Sequence, residues 1–108
     1  MGVEAEHGKV HIGMARIDVH LPGVSSLKER RARLRRIEAR LTDLGCSVAE
    51  VGAQDRWQRV VLGVAIAASV PSGVDRILDQ LTEVIERDPQ AVVLSIVERL
   101  DEIDREAT

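Results

Sequence analysis

The run Val60-Val61-Leu62-Gly63-Val64-Ala65-Ile66-Ala67-Ala68 constrains this chain more than any other segment. It is nine residues of aliphatic or glycine character, followed closely by Pro71-Ser72-Gly73. Such a run reads as a strand inside a sheet, covered on both faces. Its two faces differ. Val60, Leu62, Val64 and Ile66 are large, whereas Gly63, Ala65 and Ala67 are small. The large side is expected to meet helices. The small side admits close approach by a second sheet or subunit, so a homo-oligomer formed partly through the sheet is expected.

The flanking segments supply the rest of a domain. Val10 to Leu21 alternates in its second half, with Ile17, Val19 and Leu21 on one face and Arg16, Asp18 and His20 on the other. Pro22-Gly23 ends that strand. Ser26-Leu27-Lys28-Glu29 fits a capping box, with Ser26 as N-cap and Glu29 three positions on. Leu27, Leu34, Ile37, Leu41 and Leu44 then form an apolar arc, and Gly45 suits the position after a helix. The spacing predicts a helix over 27–44. Cys46 to Val51 reads as a short strand, and Gly52-Ala53-Gln54-Asp55 as a turn. A second helix is expected from Pro71, with Ser72 as N-cap and a stripe of Val74, Ile77, Leu78, Leu81, Val84 and Ile85. Asp88-Pro89 should stop it. The last strand is expected to place Val92, Leu94 and Ile96 on one face. The tail from Glu98 extends that strand or forms a short helix around Leu100 and Ile103. Strand-helix-strand-strand-helix-strand, with right-handed crossovers, gives an α+β, ferredoxin-like βαββαβ fold: a four-stranded antiparallel sheet with two helices on one face. The expected organisation is a polar leader over 1–8, one domain over 9–100 and an acidic tail over 101–108.

Composition excludes several classes. With 44% apolar residues the chain can build a core, but that core is aliphatic: Phe and Tyr are absent and Trp57 is the single aromatic. No apolar run approaches the ~20 residues that span a bilayer. The start, Met1-Gly2-Val3-Glu4-Ala5-Glu6, is acidic and lacks an apolar signal core, and Cys46 is the lone cysteine. A cytoplasmic protein with a buried, inert thiol is expected. His11 and His20 lie nine residues apart along one strand, hence on opposite faces and about 30 Å from each other. They cannot share a metal ion. Neither a phosphate-binding loop, a dinucleotide fingerprint nor a nucleophile elbow is present. Asp18 and Glu50, on separate strands, are the thin catalytic alternative. No cofactor is expected, and a non-enzymatic protein is favoured.

Charge is the positive signal. The net −3 hides a segment, Lys28 to Arg40, with seven basic and two acidic residues. Lys28, Arg31, Arg35, Arg36 and Arg40 fall on the side away from the apolar arc, as a solvated face or as phosphate contacts. Thirteen arginines stand against two lysines in the chain, so arginine is its usual cation and the bare count carries little weight. Arg30 differs: its helical angle falls inside the apolar arc, so it should snorkel or pair with an acid, Asp55 or Glu50. Trp57 sits among Asp55, Arg56, Gln58 and Arg59, either closing the core, meeting a subunit, or serving as a binding hot spot. A sheet without aromatics does not read RNA by base stacking on its strands.

Four motifs, Leu21-Pro22, Ser26-Leu27-Lys28-Glu29-Arg30-Arg31, Val48-Ala49-Glu50-Val51 and Asp55-Arg56-Trp57-Gln58-Arg59, give the chain a resemblance to the YlxP-like family of small bacterial proteins. The resemblance spans about residues 10–100. It implies a ferredoxin-like fold and, through the translation and ribosome-maturation genes that often neighbour family members, a role near RNA or the ribosome. The expected binding set is Lys28, Arg30, Arg31 and Arg35 for phosphate, with Gln54, Asp55, Trp57, Gln58 and Arg59 as an adjoining partner surface. The expected partner is RNA or a ribosomal assembly intermediate. The alternatives are a small-molecule ligand or substrate held at the sheet face or a subunit interface, and a protein–protein adaptor.

Overall fold

The structure, a computed structural model, describes residues 8–52 and 57–104. Four strands and three helices follow one another: β1 (Val10–His20), α1 (Leu27–Leu44), β2 (Ser47–Gly52), β3 (Arg59–Ala68), α2 (Pro71–Leu78), α3 (Leu81–Ile85) and β4 (Val92–Ile103). The sheet order is β2-β3-β1-β4 with every pair antiparallel, which is the ferredoxin-like α+β arrangement. The two long strands β1 and β3 lie in the middle. Their odd and even positions, respectively, build the core: Ile17, Val19, Val60 and Leu62 are fully buried against Leu21, Ile37, Leu41, Leu81 and Ile85.

α1 begins and ends where local chemistry dictates. Ser26 is extended (φ −151°, ψ 159°) and its Oγ accepts the Glu29 N–H at 3.1 Å. The return arm of the box lands one residue early. The Glu29 carboxylate accepts from the backbone N–H and the hydroxyl of Ser25, both at 3.3 Å. Gly45 stops the helix at φ 117°, a left-handed geometry that disfavours a Cβ. Leu27, expected in the apolar arc, is exposed because it sits in the first turn, ahead of the core.

The second helical segment differs from expectation at both ends. Val70 is its N-cap and Pro71 occupies the first turn, where a missing N–H costs nothing, so Ser72 lies inside the helix. The single expected helix is also broken at Asp79-Gln80. There the Gln80 N–H bonds the Ile77 carbonyl, a tighter i→i−3 closure, and its side-chain amide donates to the Arg76 carbonyl at 3.1 Å. The stripe survives the break because both pieces face the sheet: Val74, Leu78, Leu81, Val84 and Ile85 are all buried. α2 rides very close to β1. A Cβ on Gly13 would lie 2.5 Å from the Val74 Cγ1, so this position accepts glycine alone without a shift.

β4 corrects the expected face of the last strand. Asp18 pairs with Ser95 but Val19 pairs with Val93, leaving Leu94 as an extra residue in a bulge. The extra residue lets Val93 and Ile96, three apart, both pack on the core, while Val92 and Leu94 are exposed. Beyond the bulge β4 continues as strand to Ile103, paired with Val10, so Leu100 and Ile103 belong to the sheet rather than to a short helix. The leader expected over 1–8 lies, Gly8 apart, outside the described residues.

Candidate functional site

Two loops meet at the end of the domain where α1 starts. The Leu21 N–H donates to the Gln58 carbonyl at 2.8 Å, and the Gln58 side-chain amide donates to the Val24 carbonyl at 3.4 Å. The loop between β1 and α1 is thereby tied to the turn that carries Trp57. Arg30 adds a third tie. Its guanidinium donates to the Glu50 carboxylate at 2.6 Å and to the Arg59 carbonyl at 3.1 Å. The helical angle that put Arg30 inside the apolar arc therefore signalled a buried ion pair, with Glu50 as the acid.

The binding residues expected from the sequence divide by environment. Lys28, Arg31 and Arg35 are exposed along α1, with Arg36 beside them. Trp57 is 46% exposed and Gln58 is exposed, so this Trp does not close the core of its own chain. Arg30 is only 4% exposed, its charge met by Glu50. That geometry makes it a brace for the surface above it. Arg59 turns to the opposite face of the sheet and clamps Asp18 in two bonds of 3.1 and 2.5 Å. Gln54 and Asp55 lie outside the described residues. A shallow groove of 360 Å³ runs between α1 and β2, lined by Leu27, Arg31, Leu34, Arg35, Glu38 and Glu50.

The catalytic alternative loses its geometry. Glu50 faces the helices and Asp18 the open side of the sheet, and each carboxylate is taken by an arginine. The histidines stand as their spacing requires, His11 buried on the helix face and His20 on the other. Cys46 is buried, and desolvation pushes its thiol pKa up, away from nucleophile chemistry.

One pair had no counterpart in the sequence reading. Arg33 is 5% exposed and donates to both oxygens of Asp88, at 3.0 and 3.3 Å, and to the Pro22 carbonyl at 3.1 Å. It pins α1 to the loop before it and to the loop entering β4. Burial works against the Asp88 carboxylate. The hydrogen bonds from Arg33 and the Gln90 N–H, with the charges of Arg33 and Arg40, outweigh burial and hold its pKa below the ordinary value. The signal was present: Arg33 lies one turn before Ile37, at the margin of the apolar arc, as Arg30 lies one turn before Leu34.

The far side of the sheet is bare. Val10, Ile12 and Met14 of β1 and Val97 of β4 are exposed there, around the small residues Ala65 and Ala67 of β3. A depression of 660 Å³ lies over Gly63 and Ala65, walled by Met14, Val51, Val97, Arg16 and Arg99. Among the described residues no helix is long and apolar enough to cross a membrane.

Known proteins agree with this fold. A solved structure described as protein YJCS superposes with a TM-score of 0.55 at 10% identity, covering 82% of this chain and 96% of that one. The C-terminal domain of a cyclometallase involved in synthesis of the NPN cofactor of lactate racemase superposes with a TM-score of 0.51 at 14% identity, covering 88% of this chain and 57% of that one. At such identities the likeness is one of fold. In sequence, the chain is 34% identical over 80 residues to the protein named Uncharacterized protein YlxP of Bacillus subtilis (strain 168), covering 73% of this chain and 87% of that one. A family model matches residues 12–98, and the chain belongs to that family, described as Protein of unknown function (DUF503).

Proposed function

We propose that this protein is a non-enzymatic binding protein that takes the phosphate backbone of RNA, free or within a ribosomal assembly intermediate, at the end of the domain where α1 begins. We further propose that it acts as a homo-oligomer assembled through the open sheet face. The observation that carries the RNA reading is that the start of α1 and the turn carrying Trp57 are tied together at one end of the domain. Lys28 and Arg31 stand exposed on α1, Trp57 and Gln58 stand exposed on the turn before β3, and the Arg30, Gln58 and Leu21 hydrogen bonds hold the two together. Arginine side chains suit bidentate phosphate contacts, and one half-exposed indole offers a base a stacking partner. The sheet face lies on the other side of the molecule and stays free for assembly.

Binding to a short single-stranded RNA, followed by fluorescence anisotropy from about 50 mM salt upward, tests the reading. Each phosphate neutralised contributes a slope of about −0.7 to log K against log salt. Replacing Lys28 and Arg31 together with Ala should make the slope shallower by about 1.4. Trp57→Ala should cost about 1–3 kcal/mol of affinity and leave the slope unchanged, because stacking carries no net charge. Absence of binding by the wild type to both RNA and ribosomal particles at about 50 mM salt would overturn the reading.

A further inference from the structure

The open sheet face is self-complementary about one level of the sheet. Opposite Gly13 of β1 stand Ile66 of β3 and Leu100 of β4. Around that level the exposed face is ordered. Met14 pairs with Ala65 and Arg99 on one side, and Ile12 pairs with Ala67 and Asp101 on the other. One step further out, Arg16 pairs with Gly63 and Val97, and Val10 pairs with Ile103. Arg99 and Asp101 thus lie two residues apart on the same face, about 7 Å from each other along β4. Among the described residues neither is in an ion pair. Asp101 spends one oxygen on the Glu102 N–H.

We infer that two copies of this chain stack their open sheet faces about a two-fold axis running across the strands at the level of Gly13, so that Arg99 of each copy meets Asp101 of the other. This rests on the reading that the chain assembles through the sheet and is independent of RNA. A two-fold interface sets one patch against itself, so residues equally far from the axis exchange places. Met14 then covers Ile12, Ala65 covers Ala67, and the exposed end Ile103 lies over Val97. The small residues of β3 admit the close approach of two sheets, which pack about 10 Å apart. Arg16 lies over Val10, where its stem packs and no like charge faces it. An axis along β1 would instead set Arg16 against itself, a like-charge contact that disfavours that arrangement. β2 lies wholly to one side of the axis, so three strands, β3, β1 and β4, overlap. At about 4.8 Å apart and over roughly 20 Å they give a flat footprint of about 300 Å² per copy before side-chain relief is counted. That is a small interface, so the dimer should depend on concentration.

Sedimentation at tens of micromolar, with circular dichroism as a fold check, decides the matter. The wild type should sediment as two chains. Arg99→Asp gives a face with acids at both positions, and Asp101→Arg a face with bases at both. Each alone should weaken self-association about tenfold or more, and an equimolar mixture of the two should restore a two-chain species. Both residues are exposed, so both variants should fold. A wild type that stays at 11.9 kDa overturns sheet assembly itself. A dimer that Ala65→Arg abolishes, while both charge variants leave it intact, keeps sheet assembly and overturns the axis. Variants that dissociate but fail to recombine overturn the axis as well.

Discussion

At the scale of residues, this protein is organised by arginines that do two different jobs. On α1, Lys28, Arg31, Arg35 and Arg36 face solvent, while Arg30 and Arg33, on the same helix, are buried and paired. A buried pair loses much of its Coulomb energy to desolvation, but stranding one partner is costly. Arg33→Ala or Asp88→Ala should therefore destabilise the fold by about 3–5 kcal/mol, read from the urea midpoint at constant m. The pH dependence follows from Asp88. Its folded pKa lies below the ordinary 3.8, so its contribution is complete above that value and is lost as pH falls through the lower, folded one. Asp88→Asn should flatten this part of the acid limb, which urea titrations between about pH 2 and pH 5 would reveal.

At the scale of elements, backbone chemistry and close packing decide where helices sit. The Ser26 hydroxyl satisfies one free N–H of α1, so Ser26→Ala should cost about 1 kcal/mol, measured by thermal unfolding. α2 depends on Gly13. A methyl there would press the Val74 Cγ1 at 2.5 Å, so Gly13→Ala should destabilise by about 1–3 kcal/mol, and Val74→Ala in the same chain should give less than the sum of the two single losses. The bulge at Leu94 is an element of the same kind. It shifts the register of β4 by one residue and so selects which side chains reach the core.

At the scale of the whole molecule, the ferredoxin-like frame separates two surfaces. The loops tied by Gln58 and Arg30 lie beyond the His20–Arg59 end of the sheet, and the Arg99–Asp101 patch lies beside Met14 and Ile12, roughly 25 Å away along β1. Disrupting assembly should thus leave the basic end intact. The Arg99→Asp variant is expected to bind a short RNA that fills one site within about twofold of wild type per chain. A long RNA that spans two sites should bind it distinctly more weakly, because avidity is lost. Equal weakening on both RNAs would mean that the two surfaces are not separate.

The sequence by itself determined what local rules control. The bounds of α1 follow from Ser26 and Gly45, the core face of β3 follows from its large-small alternation, and the pairing of Arg30 with an acid follows from its place in the apolar arc. Strand order could be deduced as well, since short connections and right-handed crossovers leave few topologies. Other features rest on contacts between residues far apart in the chain, and only the tertiary structure decided them. Arg33 found its acid in Asp88, fifty-five residues on, and Asp18 found Arg59 across the sheet rather than Glu50. The break at Asp79-Gln80 preserves an apolar stripe that reads as one helix, so periodicity alone hides it. The bulge at Leu94 likewise depends on matching Val93 and Ile96 to one core, a requirement that β4 meets only when it is laid against β1.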